Sequence, residues 1–228
     1  MEIRIEHLIE GSKKAKGVVV IIDVFRAFST AAYIMHNGAE KIIPVGSVEE
    51  ARQLKRENLD YILIGERNGI KIEGFDYGNS PAEVEHVDFS NKTVIQTTSA
   101  GTQGVVNATG ADEIILGSFV CLQAIVNHIK KKNPPVVTLV AMGDNGLEKT
   151  DEDEMCAQAI KDLLLGNKID FAKVISHLRS YSHGLKFFDT LQPEFREDDF
   201  HLALEYSKFD FVLTVYKANN ILFVTKEV

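Results

Sequence analysis

A chain of 228 residues with 45% hydrophobic and 25% charged side chains, 5 prolines and 16 glycines is sized for one large or two small globular units. Its composition excludes disordered, collagen-like and low-complexity classes. With 33 acidic against 25 basic residues the net charge is −8, and the densest basic run, Lys130-Lys131-Lys132, reads as a solvated helix end, so nucleic acid is not an expected partner.

The first ten residues alternate charged with aliphatic side chains and lack the apolar core of a signal peptide. Val18 to Ile22 is a continuous β-branched run, the pattern of a strand buried on both faces. It ends at Asp23, far short of the ~20 apolar residues of a membrane span. Ala27 to His36 carries apolar residues at helical spacing and stops at Asn37-Gly38. Lys41 to Val45 is a short strand, and Ser47-Val-Glu-Glu50 has capping-box spacing for a helix running to about Glu57. After a strand at Tyr61 to Ile64 comes an irregular, glycine-rich stretch from Gly65 to Pro81, longer than the usual ~4–6 residue connection.

Lys92 to Thr97 reads as a strand, Gly101 to Ala108 as a helix, and Glu113 to Leu116 as a strand. Ser118 is placed to cap a helix ending at Asn133-Pro134-Pro135, and Thr150 to cap one from Asp151 to about Leu165, with the buried strand Val136 to Ala141 between them. Phe171 to Ser180 and Asp198 to Tyr206 look helical. Phe209 to Lys217 and Ile221 to Lys226 look like a hairpin turning at Asn219-Asn220. No linker or internal repeat interrupts this order, so residues 1–228 read as one domain with its motifs in 18–160 and added helices and a hairpin over about 170–228. The expected fold is a three-layer α/β/α sandwich with a mostly parallel mixed sheet and an antiparallel C-terminal edge. Cys121 and Cys156 cannot build a disulfide framework, and a cytoplasmic protein is expected.

In such folds ligands collect beyond the carboxyl ends of the strands. Four of those ends are chemically loaded. Asp23 and Arg26 could hold a cation and an anion side by side, or simply cap the helix that follows. Gly65-Glu66-Arg67 and the turn holding Asp76, Asn79 and Ser80 bring polar groups to a flexible backbone, although Asp76 to Pro81 also fits plain turn chemistry. Thr97, Thr98, Ser99, Ala100, Gly101 and Thr102 open a helix directly after a strand, where free amides and hydroxyls suit a phosphate. The run Asp151-Glu152-Asp153-Glu154 complements the helix dipole, yet four acids in succession also suit a hard cation such as Mg²⁺. The chain has no G-x-x-x-x-G-K-[ST], no G-x-G-x-x-G, no G-x-S-x-G, and no histidine pair at metal-ligand spacing. His183 could reach a site, but each histidine reads first as structural or solvated.

The segments DVFRAFST (Asp23 to Thr30), GER (Gly65 to Arg67), GFDYGNSP (Gly74 to Pro81), TTSAGT (Thr97 to Thr102), GSF (Gly117 to Phe119) and EDEMCA (Glu152 to Ala157) together resemble the 2-phosphosulfolactate phosphatase family. The resemblance implies a Mg²⁺-dependent hydrolase that converts (2R)-2-phospho-3-sulfolactate to 3-sulfolactate and phosphate, a step of coenzyme M biosynthesis in methanogens. On that basis Asp23 and one or both of Glu152 and Asp153 are expected to hold the metal, and the Thr97–Thr102 segment to bind the phosphoryl oxygens. Arg26 and Arg67 are expected to clamp the acidic groups, with Asn79 and Ser80 orienting them. The nucleophile is expected to be a water activated by Asp76 or Glu66, with Asp23 itself as the alternative. Two rivals stand beside this reading: a phosphatase for another phosphorylated 2-hydroxy acid, and a non-catalytic module binding a small anionic metabolite. Self-association is left open.

Overall fold

The computed structural model describes residues 1–228. The alternating N-terminal segment is strand β1 (Glu2–His7), followed by helix α1 (Leu8–Lys14). The β-branched run is β2 (Gly17–Ile22), buried at every position, and α2 (Ala27–His36) stops where Gly38 adopts φ +96°. β3 (Lys41–Pro44) leads to α3 (Val48–Glu57), whose Ser47 cap accepts the Glu50 amide at 3.1 Å. β4 extends from Ile62 to Arg67, so Gly65, Glu66 and Arg67 are strand residues and not the start of the loop. The short β5 (Ile70–Lys71) folds back antiparallel on Glu66 and Arg67, and α4 (Pro81–Val84) closes the irregular stretch.

Next come β6 (Thr93–Thr97), α5 (Gly101–Asn107), β7 (Ala111–Gly117), α6 (Leu122–Lys132), β8 (Val136–Ala141) and α7 (Asp151–Leu164). Two expected caps are absent. A 3₁₀ turn over Phe119–Cys121 separates Ser118 from α6, and the Cys121 amide bonds the Ser118 carbonyl at 3.4 Å, leaving the Ser118 hydroxyl out of the helix end. Thr150 stands at the N-cap position of α7, but its hydroxyl accepts no amide. The chain then forms α8 (Phe171–Ser180), α9 (Ser182–Leu185), α10 (Glu197–Ala203), β9 (Val212–Ala218) and β10 (Ile221–Glu227). Asn219 and Asn220 both take positive φ at the turn of the last hairpin, as the Asn-Asn pair predicts.

All ten strands join one mixed, mostly parallel sheet in the order β1-β8-β2-β7-β9-β10-β3-β6-β4-β5, with helices packed around it. The C-terminal hairpin therefore does not form an antiparallel edge. It is inserted at the centre, β9 against β7 and β10 against β3, where Val224 faces Ile42 and both are fully buried. The apolar residues of a hairpin show that it is covered, and nothing in their spacing says by which neighbours. Each of the steps β7–β9, β9–β10 and β10–β3 is antiparallel, so β1-β8-β2-β7 and β3-β6-β4 run in opposite senses. Sheet twist of roughly 20–25° per strand accumulates to about 100–125° across the five steps from β2 to β6, turning the carboxyl ends of those strands toward one another. One large hydrophobic cluster spans both halves, and a smaller one lies beneath α3. No helix is long and apolar enough to cross a membrane.

Candidate active site

The convergence of strand ends is visible at Gly101. A Cβ there would stand 2.8 Å from Asp23 Oδ2 and 2.9 Å from Ala27 Cβ, so the residue after β6 has to be glycine for the backbone to meet the carboxylate after β2. Asp23 Oδ1 accepts the Ala27 amide at 3.0 Å, and the Asp23 carbonyl accepts the Phe28 amide. Burial, reinforced by the nearby Glu66 charge, pushes the Asp23 carboxyl up to about 6. Glu152, also buried, is pushed up to about 7, chiefly by burial and also by the Asp23 charge. Asp153 is raised well above the carboxylate range by burial and by Glu152 and Asp23. Each of its oxygens accepts a loop amide: Oδ1 that of Val24 and Oδ2 that of Gly143, each at 2.8 Å. Asp153 thus ties the loop after β2 to the loop after β8.

The serine- and threonine-rich segment is organised largely by itself. Thr98 and Thr102 cap each other, the Thr98 amide bonding Thr102 Oγ1 at 2.9 Å and the Thr102 amide bonding Thr98 Oγ1 at 3.1 Å. Glu66 accepts the Ser99 amide at 2.7 Å, the Ser99 hydroxyl at 3.0 Å and the Gly69 amide at 2.7 Å. Glu66 therefore fixes the loops after β4 and β6 to each other. Ala100 is left on the cleft wall, its amide taken by no other backbone or side chain.

The remaining expected residues divide. Arg26 is buried and paired with Asp199 at 2.7 Å, and it also donates to the carbonyls of Glu194 and Gly69. Asp199 additionally accepts the Ser80 hydroxyl at 2.7 Å and the Ala82 amide at 2.9 Å, so Ser80 serves this ion pair and caps α4. Asn79 lines the cleft, 5% exposed, with no hydrogen bond to any protein group. Arg67 and Thr97 are not brought to the cleft; they bond each other at 2.8 Å. Asp76 is not brought there either. It accepts the Leu63 amide at 2.8 Å on the outer side of β4, with Lys55 at 4.0 Å.

The cleft itself encloses about 270 Å³. One wall carries Asp23, Glu66, Asn79 and Ala100. The other carries Lys186, Gln192 and Phe195, which patterning did not single out, with Asp144 and with Thr150, which patterning reads only as a helix cap. Lys186 lies on the 3₁₀ turn after α9, its ammonium 4.4 Å from the centre of the Phe195 ring. Burial draws its pKa down, opposed by Glu152 and Asp144. His183 also faces the cleft and is drawn down by burial and by Lys186. No periodicity or motif marks this segment, and Asp199 sits in an ordinary acidic first turn, so the only available signal was the isolated Ser-His-Gly around His183.

No three metal-ligating side chains converge. The residues nonetheless fit a hard cation. Mg²⁺ is commonly held by one or two carboxylates with waters and phosphate oxygens completing its shell. Asp23 and Glu152 are two buried carboxylates, the Asp23 charge adding to the rise of the Glu152 pKa, and Glu152 Oε2 is a buried oxygen without a well-formed hydrogen bond. Thr150 Oγ1 beside it is likewise unpartnered.

Residues 3–217 match the family model described as 2-phosphosulpholactate phosphatase. A Bacillus subtilis protein named probable 2-phosphosulfolactate phosphatase is 34% identical over 199 residues, 86% of each chain. Proteins of the same name from Clostridium perfringens strain SM101 and Caldicellulosiruptor saccharolyticus are 37% and 39% identical, over 78% and 82% of this chain and 74% and 75% of their own.

Proposed function

Since the chain belongs to the 2-phosphosulfolactate phosphatase family, whose named activity is that of a phosphoric monoester hydrolase, we propose that it hydrolyses (2R)-2-phospho-3-sulfolactate to 3-sulfolactate and phosphate with the help of Mg²⁺. The observation that carries this reading is a cleft lined by Asp23, Asn79 and Thr150 in which Asn79 Oδ1 and Thr150 Oγ1 are buried without a well-formed protein hydrogen bond, while Glu152 stands close enough to feel the Asp23 charge. A buried polar group left unbonded costs about 1–3 kcal/mol, so several in one place point to a ligand that bonds them.

Asp23 and Glu152 are the residues that would hold the cation, with Asp153 fixing the loops behind them. Bound there, Mg²⁺ supplies positive charge to the phosphoryl oxygens. The Ala100 amide donates to a phosphoryl oxygen, and Asn79 and Thr150 orient the ester. Glu66 acts as a positioning residue, since its oxygens are committed to Ser99 and Gly69. A phosphate monoester passes through a loose transition state that asks mainly for positioning and charge stabilisation. We assign the attack to water and give Asp23 to the cation, because a loose transition state asks for charge and position more than for a strong nucleophile. Phosphate then carries one oxygen from solvent, and the leaving oxygen becomes the 2-hydroxyl of the product.

The buried, unpaired thiols of Cys121 and Cys156 accord with a cytoplasmic setting, and the reaction would serve coenzyme M-type biosynthesis wherever the sulfonated ester is made. Phosphate release from a panel of phosphorylated 2-hydroxy acids, with Mg²⁺ and with EDTA, tests the proposal. Release from 2-phospho-3-sulfolactate that stops in EDTA is expected. Faster release from an ester without the sulfonate would assign another substrate, and no release from any ester would leave a binding module. A single turnover in ¹⁸O-water that labels the Asp23 carboxylate would move the attack from water to Asp23.

A further inference from the structure

The proposed substrate carries phosphate, carboxylate and sulfonate, about −4 in all near neutral pH. Against it the cleft lining offers one guanidinium and one lysine amine, Arg26 and Lys186. Arg26 is already neutralised by Asp199 at 2.7 Å, with both residues almost completely buried. Lys186 has no carboxylate within 4.0 Å, although acids stand on either side of it, and the Phe195 ring holds its ammonium in place. The same ring lies 5.0 Å from the Arg26 guanidinium, so Phe195 spaces the paired cation from the unpaired one.

Resting on the phosphatase reading above, we propose that Lys186 determines the specificity of this site by receiving the sulfonate on the carbon next to the phosphorylated one. The chemistry of the two acids separates their partners. A sulfonate is tetrahedral, with three equivalent oxygens, and suits a compact ammonium with three rotatable donors. A planar carboxylate suits an amide or the remaining N–H groups of a guanidinium, and the cleft lining supplies both in Asn79 and Arg26. On the phosphatase reading the phosphoryl group lies toward Asp23 and the Ala100 amide. Lys186 is contributed by the turn after α9, outside the strand ends that carry the rest of the site, and its charge also reaches Glu152 and Asp23, so the test reads a ratio between two esters that share the phosphoryl group.

The test is the ratio of kcat/KM for 2-phospho-3-sulfolactate to kcat/KM for 2-phospholactate, which keeps the carboxylate and replaces the sulfonated carbon by a methyl group. Loss of one charge-assisted hydrogen bond predicts that Lys186→Met lowers this ratio by roughly 10- to 100-fold, mainly through KM, and that Lys186→Arg recovers part of it. An unchanged ratio, or equal losses on both esters, would overturn the assignment, the second by placing Lys186 on a group that the esters share. Calorimetric binding of the products forms an independent arm. The wild-type protein should bind 3-sulfolactate more tightly than lactate, and Lys186→Met should erase the difference. A wild-type protein that hydrolyses neither ester would overturn the phosphatase reading alone. The binding arm would then decide Lys186, and equal affinity for the two hydroxy acids would overturn it.

Discussion

The two walls of the cleft are built on different principles. The wall at the ends of β2, β4 and β6 is backbone-anchored: Asp23, Glu66 and Asp153 each spend carboxylate oxygens on loop amides, and Gly101 lets two loops touch. The wall formed by residues 181–199 rests on side chains, with the buried Arg26–Asp199 pair, a shared Phe195 ring and a lysine without a partner. A backbone-anchored wall holds negative charge at fixed points, which suits a cation and, only through that cation, the reacting phosphoryl group. A side-chain wall supplies positive charge that can be exchanged for another group, which suits selection among substrates. The first wall should therefore govern kcat, and the second should govern stability and preference.

The sharpest test of that division is Asp23→Asn. Removing one charge from the cation site is expected to lower kcat/KM by at least ~10³-fold, while the metal-free variant becomes more stable than wild type at pH 8 because a buried charge is gone. Steady-state kinetics and urea unfolding on the same preparation read both effects. Retained turnover would remove Asp23 from the site. On the opposite wall, Asp199→Ala leaves Arg26 charged and buried, so unfolding by urea should reveal a loss of about 3–5 kcal/mol. A loss near that of a surface substitution would show that the pair holds nothing together.

Acid–base behaviour sharpens the comparison further. In the unfolded chain Asp23 and Glu152 titrate near 4, whereas in the fold they titrate at about 6 and about 7. Between those values the unfolded chain binds fewer protons, so metal-free stability should fall as pH rises from about 4 to about 7, by up to ~3 kcal/mol per carboxyl. Mg²⁺ should raise Tm more at pH 8 than at pH 5, because the carboxylates proposed to hold it are ionised at the higher pH. Thermal melts at the two pH values, with Mg²⁺ and with EDTA, check the sign; a larger shift at pH 5 would contradict it. The smallest effect is expected from Asp76→Ala, which removes an outward-facing contact to the Leu63 amide. It should cost about 1 kcal/mol of stability and change kcat/KM by less than ~3-fold.

These predictions follow the line between what the sequence discloses and what it hides. Continuous β-branched runs declare buried strands, and polar residues at their ends declare a site, so β2, β6, β8 and Asp23 were legible. Spacing carries no information about strand order, and the central position of the C-terminal hairpin emerges only when β9 and β10 find β7 and β3. The same limit applies to side chains. Arg67 and Asp76 have the right chemistry next to the right strand, but their direction from β4 takes them to Thr97 and to the Leu63 amide, away from the cleft. Lys186 and Asp199 stand in unremarkable local sequence and acquire their setting from residues distant in the chain, Asp199 by contact with Arg26 and Lys186 by the charge of Glu152.

The claim that Asp23 and Glu152 hold a divalent cation is tested most directly by titrating Mn²⁺, a paramagnetic stand-in for Mg²⁺, into the protein in the presence of inorganic phosphate and following free Mn²⁺ by electron paramagnetic resonance. Wild-type protein should take up one ion per chain, and Asp23→Asn and Glu152→Gln should each weaken uptake by at least ~10-fold. Equal uptake by all three proteins would contradict the account.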